Sequence, residues 1–145
     1  MIKRILSIAR NIQKPLIQKR KIYEVDEMRS FIRKKDNAIW IAYVLERGTK
    51  KIVSFSTGKR TNKTLYAVIK TLELSEAKKI YTDGLKNYKS LIPANLHSVK
   101  RFGTNHIERK NLTLRTHLKR LNRKTICFSR SLIMLNAILK IYFWG

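Results

Sequence analysis

The order of hydrophobic patterns along these 145 residues predicts a mixed α/β layer fold, a sheet begun by a hairpin and flanked by helices. Three observations predict it. Two apolar, strand-like stretches sit on either side of a short glycine turn. After them, segments with helical spacing alternate with short strand-like runs. The composition is 43% hydrophobic with two tryptophans, six tyrosines and five phenylalanines, enough for one core in a chain of this length.

Residues 1–20 are basic and loosely periodic, broken at Pro15, and read as a basic N-terminal leader: a helical remnant, then a linker. Residues 21–145 read as the folded domain. Its first strand is expected at residues 21–28 (KIYEVDEM). Residues 39–46 (IWIAYVLE) are apolar on both alternating faces, as in a strand covered on two sides. Arg47-Gly48-Thr49 turns the chain into residues 51–57 (KIVSFST), the hairpin partner. Leu65, Val68, Ile69 and Leu72 recur at helical spacing across residues 61–73, with Thr61 or Asn62 as cap. A strand at 77–83, a short helix at 85–91 stopped before Pro93, and a weak strand at 96–101 follow. A long helix is expected from Asn105 to about Asn122, with Ile107, Leu114, Leu118 and Leu121 on one stripe, and a last helix over about 129–143. Ribonuclease-H-like domains share this order of elements, a mixed sheet flanked by helices.

Charge narrows the function. Lys and Arg number 33 against nine Asp and Glu, a net charge of +24 spread over almost the whole length. Such a chain calls for a polyanion: DNA, RNA or an anionic membrane surface. The single cysteine, Cys127, excludes an internal disulfide and a cysteine-rich zinc site, in keeping with a reducing cytosol. The apolar core at the start is too short for a signal peptide, and the apolar tail Ser131–Trp144, interrupted by Asn136 and Lys140, falls short of the ~20 residues a bilayer demands. A packed core helix and a cytoplasmic, non-membrane protein are expected.

With nine acids, each can be weighed. Alternation along the first strand puts Glu24 and Asp26 on one face and Glu27 on the other. Asp83 ends a strand, where open α/β sheets place their sites. Glu108 lies in the first turn of a helix, the only acid after Asp83, amid basic residues. Metal ions would explain it. Mg²⁺ and Mn²⁺ prefer oxygen ligands, and two ions about 3.5–4 Å apart clamp the attacking and leaving oxygens of a phosphoryl displacement. Ordinary readings stand beside this one: solvated strand residues, a turn at Asp83-Gly84, and a capping box with Asn105 as N-cap and Glu108 three positions on.

Longer motifs add to this. The stretch from Arg101 to Ser131, with Ile107-Glu108-Arg109-Lys110-Asn111-Leu112-Thr113-Leu114-Arg115 and Arg120-Leu121-Asn122-Arg123-Lys124-Thr125-Ile126-Cys127-Phe128-Ser129, resembles the C-terminal signature of insertion-sequence-one transposases. Glu24-Val25-Asp26-Glu27-Met28 resembles that family's first acidic strand, Tyr81-Thr82-Asp83-Gly84 with Tyr88 its second, and Gly58-Lys59-Arg60-Thr61 its glycine-basic turn. The likeness covers about residues 22 to 135. It implies a ribonuclease-H-like fold with an Asp-Asp-Glu triad, here Asp26, Asp83 and Glu108, holding two Mg²⁺ or Mn²⁺ ions. It implies strand cleavage at the ends of a mobile element and transfer of the freed 3′ hydroxyl into target DNA, by a bacterial, nucleoid-associated homo-oligomer on double-stranded DNA. Family members also carry an N-terminal zinc-finger and helix-turn-helix region. Residues 1–10 read as the tail of such a DNA-binding module, separate or fused.

Arg109, Lys110, Arg115, Lys119, Arg120, Arg123 and Lys124 crowd the helix of Glu108 and its exit, and no acid there offers an i,i+4 partner, so DNA phosphates are their expected partners. Asn111, one turn past Glu108, either touches substrate or merely breaks the apolar stripe. His106 is expected to be exposed, Trp40 and Phe128 to be core, and Cys127 to be buried. Tyr23, Tyr81 and Tyr88 lack the arginine/histidine surroundings that a tyrosine nucleophile needs. A non-catalytic nucleic-acid-binding protein and a structure-specific nuclease are the alternatives.

Overall fold

The structure, a computed structural model, describes residues 2–32, 34–118 and 131–145. Five strands form one sheet in the order β3-β2-β1-β4-β5: β1 (Ile22–Ile32), β2 (Lys34–Glu46), β3 (Ile52–Gly58), β4 (Lys79–Tyr81) and β5 (His97–Ser98). β1, β2 and β3 are antiparallel neighbours, whereas β4 runs parallel to β1 and to β5. Around them lie α1 (Ile2–Asn11), α2 (Asn62–Ile69, continued by a 3₁₀ turn at Lys70–Leu72), α3 (Asn87–Leu91), α4 (Asn105–His117) and α5 (Leu132–Trp144).

The sheet separates two apolar cores. Tyr23, Val25 and Val44 pack with Leu65, Val68, Ile69 and Leu72 of the α2 segment on one face. Met28, Ile41 and Tyr43 pack with Ile107, Leu114, Leu135 and Leu139 of α4 and α5 on the other. Side-chain alternation makes this division. It also explains why β2 is apolar on both faces: Ile41 to Leu45 are all buried, beneath helices on either side.

Elements fall where the pattern places them, and their ends differ. β1 and β2 extend as a ribbon beyond residue 28 and before residue 39, with Arg29 opposite Trp40 and Phe31 opposite Ala38. Cross-strand pairing holds these residues although their own alternation is poor. β4 and β5 are shorter than expected, at three and two residues. α4 ends at His117, with Leu118 already extended, rather than near Asn122. Leu121 and the end of the expected stripe lie outside the described residues, as do Cys127 and Phe128. Trp40 is only partly buried, covered by the Arg60 guanidinium at 4.6 Å from its ring, rather than in the core. α5 begins with Ser131 as N-cap, its hydroxyl accepting the Met134 N–H at 3.2 Å.

In the N-terminal segment α1 packs on α5 with Ala9 buried, and Leu6, Phe55, Ile133 and Ala137 line an open groove between them. Among the described residues no helix is long and apolar enough to cross a membrane.

Candidate active site

Strand register brings the first two candidate acids together. β1 and β4 pair Ile22 with Lys79, Tyr23 with Ile80 and Glu24 with Tyr81; two residues further along each chain come Asp26 and Asp83. β4 stops because the Asp83 carboxylate accepts the Leu85 N–H at 3.0 Å, an Asx turn that ends the strand. β1 continues, and the acids sit in the resulting notch. Asp26, Glu27 and Asp83 each present a ligand atom within 4.8 Å of the others. All are hard carboxylate oxygens, the donor set that suits Mg²⁺ or Mn²⁺.

Asp26 is partly buried. One oxygen accepts the Glu27 N–H at 2.8 Å and the other an N–H of the Asn111 carboxamide at 3.0 Å. Burial, reinforced by Glu27 and Asp83, pushes its carboxyl up to about 7. Asn111 is in turn held by the buried Tyr43 hydroxyl, which donates to its carbonyl oxygen and also lies 3.2 Å from the Ile107 carbonyl. Burial keeps that phenol far above the usual tyrosine range, so it remains a donor.

Glu27 points to the opposite face, as alternation requires. Its carboxylate accepts Arg60 at 2.6 and 3.1 Å and the Tyr88 hydroxyl at 2.5 Å. Thus this acid of the cluster carries its own countercharge. Tyr88 and Tyr23 are fully buried and cannot serve as nucleophiles; Tyr81 lies under the Arg47 guanidinium.

Glu108 is exposed on α4, outside the group of three, and its carboxylate accepts the Thr104 hydroxyl at 3.0 Å. Thr104, not Asn105, is the N-cap of α4, so Glu108 stands at the fourth helical position and no capping box forms. Glu24 does the capping from the sheet. Fully buried, it accepts the backbone N–H of His106 at 3.0 Å and of Ile107 at 3.2 Å on one oxygen. Its other oxygen meets His106 Nδ1 at 2.8 Å and Arg47 Nε at 3.1 Å. His106 is therefore a partner of Glu24 rather than a free surface residue. Arg47 also donates to the Gly103 carbonyl at 2.6 Å, anchoring the turn before α4.

Of the expected DNA-binding residues, Arg109 is exposed, Lys110 lies 5.7 Å from the Tyr142 ring, and Arg115 is partly buried beside Tyr43. Lys119, Arg120, Arg123 and Lys124 lie outside the described residues. Sequence reading missed the roles of Glu24, Arg47, Tyr43 and Arg60. Two of them carried a signal: alternation already placed Glu24 on the face of Asp26, and Arg60 lies in the glycine-basic turn Gly58-Lys59-Arg60-Thr61.

Comparison with known proteins identifies the family and the fold. The family model for IS1 transposase matches residues 21–143. The insertion element iso-IS1n protein InsB of Shigella dysenteriae is 37% identical over 110 residues, 76% of this chain and 84% of that one. The IS1 protein InsB of Shigella flexneri is 34% identical over 119 residues, 82% and 91% of the two chains. Among solved structures, the HTLV-2 integrase catalytic core domain in complex with magnesium, in a trimeric form, aligns with TM-score 0.54 at 15% identity over 86% of each chain. A chain of the simian T-cell lymphotropic virus intasome bound to a PP2A regulatory subunit aligns with TM-score 0.56 at 16% identity, over 90% of this chain and 53% of that one. These likenesses show a ribonuclease-H-like fold, and together with the sequence matches they show that the chain belongs to the IS1 transposase family.

Proposed function

We propose that the chain cuts DNA at the ends of its element and joins the freed 3′ hydroxyl to target DNA, with Asp26, Asp83 and Glu108 as the working acids. The observation that carries this reading is the strand register that sets Asp26 beside Asp83 just past the end of β4, with the helix that bears Glu108 bonded to Asp26 through Asn111. Asp26 and Asp83 would hold divalent Mg²⁺ or Mn²⁺, two ions on this reading, and Glu108 would complete the ligand set from α4. When bound, such ions neutralise phosphoryl oxygens and lower the pKa of water.

The chain's own residues have separate tasks. Asn111, fixed by Tyr43, orients the Asp26 carboxylate. Arg60 offsets the charge of Glu27, leaving Asp26 and Asp83 as the acids that face the substrate. Arg109, Lys110 and Arg115, with Lys119, Arg120, Arg123 and Lys124, hold the DNA backbone. In the first stage water attacks a phosphodiester at the element's end and a 3′ hydroxyl leaves. In the second that hydroxyl attacks a target phosphodiester, forming a new phosphodiester bond while the target strand's own 3′ oxygen leaves as a hydroxyl. Function as a homo-oligomer on paired ends, with an N-terminal DNA-binding module joined or separate, and association with the bacterial nucleoid belong to the same proposal.

Mn²⁺-dependent nicking of supercoiled plasmid by the wild type and by Glu108→Gln tests it. Nicking lost in the variant at unchanged DNA affinity supports the triad. Equal nicking by both refutes a role for Glu108. Joining of a precut end to a target plasmid separates a transposase from a nuclease.

A further inference from the structure

α4 carries Glu108 and Asn111, yet its first turn has no cap of its own. The N-cap residue, Thr104, makes no side-chain bond to the helix backbone. Free N–H groups and the positive end of the helix dipole call for an acceptor, and a carboxylate is the strongest available. Here it comes from 82 residues away in sequence: Glu24 on β1 takes the His106 N–H. A cap supplied from within the helix's own approach would satisfy those groups without tying the helix to anything. A cap from the sheet also fixes where the helix starts.

The anchor's position matters. Glu24 precedes Asp26 by two residues on the same strand face. One short piece of β1 therefore presents Asp26 to the notch and pins the helix that carries Glu108. Arg47 and His106 complete the arrangement, each bonded to the second oxygen of Glu24. At the other end of the contact, Asn111 returns to Asp26. Strand and helix are thus joined at two points, one on each side of Glu108.

We infer that Glu24 is a positioning residue that sets Glu108 against Asp26 by capping α4 from the strand. This rests on the proposed function, because it concerns how the acids of that site are held relative to one another. Glu24 itself touches no substrate. Its negative charge is taken up by Arg47 and the helix end.

The test compares Glu24→Met, which keeps the bulk and removes the acceptor, with Glu24→Gln, which keeps an oxygen for both backbone N–H groups. Three readouts are taken well below the melting temperature: amide hydrogen exchange along α4, the turnover and KM of Mn²⁺-dependent plasmid nicking, and Mn²⁺ broadening of the Glu108 and Asn111 amide resonances. In Glu24→Met, exchange at His106, Ile107 and Glu108 should quicken tenfold or more while Tyr43 and Val44 stay protected. Nicking turnover should fall at least tenfold at unchanged KM for DNA, and Glu24→Gln should restore it to within a few-fold. Unchanged exchange at His106 and Ile107 overturns the cap, and quickened exchange with wild-type turnover overturns the positioning role. If Glu24→Met fails to fold, Glu24→Asp takes its place, with the charge kept but the carboxylate withdrawn by one methylene, and the same results decide. If the wild type nicks nothing, the proposed function fails and the Mn²⁺ readout decides alone. Broadening of the α4 amides in the wild type that is lost in Glu24→Met upholds the positioning role, and identical spectra overturn it.

Discussion

Replacing Asp26 by Asn should make the metal-free protein more stable in mild alkali while removing its activity. The Asp26 carboxyl is raised from 3.8 to about 7, chiefly by burial and then by Glu27 and Asp83. A raised acid means that the folded state binds the proton more tightly than the unfolded one. Stability is therefore lost as pH climbs from about 4 to 7, and the penalty is complete above 7. The shift of 7 − 3.8 = 3.2 units corresponds to about 4 kcal/mol at most, since part of the carboxyl reaches water. Integrating the two titrations puts roughly 2.5 kcal/mol of that between pH 5 and pH 8. Asparagine cannot ionise. Its carboxamide keeps an acceptor for the Glu27 N–H, and Asn111 can flip to meet it, because the Tyr43 hydroxyl has the Ile107 carbonyl as a second acceptor. Urea denaturation in EDTA at pH 5 and pH 8 reads the effect. The stability of Asp26→Asn relative to wild type should rise by about 2 kcal/mol or more between the two pH values. A gap that stays constant with pH would refute the assignment of this titration to Asp26. Plasmid nicking should be lost at both.

Further expectations concern its neighbours. Glu27→Gln should retain Mn²⁺-dependent nicking to within about threefold while lowering stability by about 1–3 kcal/mol, because Arg60 and Tyr88 lose their charged partner. Nicking abolished in Glu27→Gln and kept in Glu108→Gln would transfer the third ligand to Glu27. Arg109→Ala and Lys110→Ala should each flatten the slope of log affinity against log salt for plain duplex DNA by about 0.9, and an unchanged slope would take that residue off the phosphate path. Gly103→Ala should lower the melting temperature, since a Cβ there would stand 2.6 Å from the Tyr81 ring and 2.9 Å from the Lys100 carbonyl. An unshifted melt would mean the turn before α4 yields freely.

Much of this was legible in the sequence, for identifiable reasons. Apolar residues on both faces of residues 39–46 required cover on two sides, and α2 and α4 supply it. Leu65, Val68, Ile69 and Leu72 stood at helical spacing and are all buried. Scarcity of acids made Asp26 and Asp83 candidates, and the family resemblance selected Asp26 from its neighbours Glu24 and Glu27. What stayed hidden depends on contacts distant in sequence. No local rule says that Glu24 caps a helix that begins after residue 104, because capping motifs look only three or four positions away. Likewise, the Arg60 side chain covers Trp40 and neutralises Glu27 because β3, pairing with β2, ends with Gly58 opposite Trp40 and delivers Arg60 there. The ends of β1 and β4 were misjudged since pairing, not composition, decides how far a strand runs. The membership of Glu108 in the site rests on resemblance and chemistry, with its carboxylate here held by Thr104.

The unequal lengths of β1 and β4 have a consequence for how this site could change. Three residues of β4 meet an eleven-residue β1, and the acids lie where that seam opens. The gap that holds the acids is thus a missing stretch of sheet rather than a hollow carved between side chains. Lengthening β4 by two residues would zip the seam shut and erase the gap without altering a single acid. Slipping β4 by one residue would turn Asp83 to the other face. Asp83, whose carboxylate turns the chain after the strand, therefore guards the opening as well as furnishing it, and a substitution there removes a boundary along with an acid of the cluster.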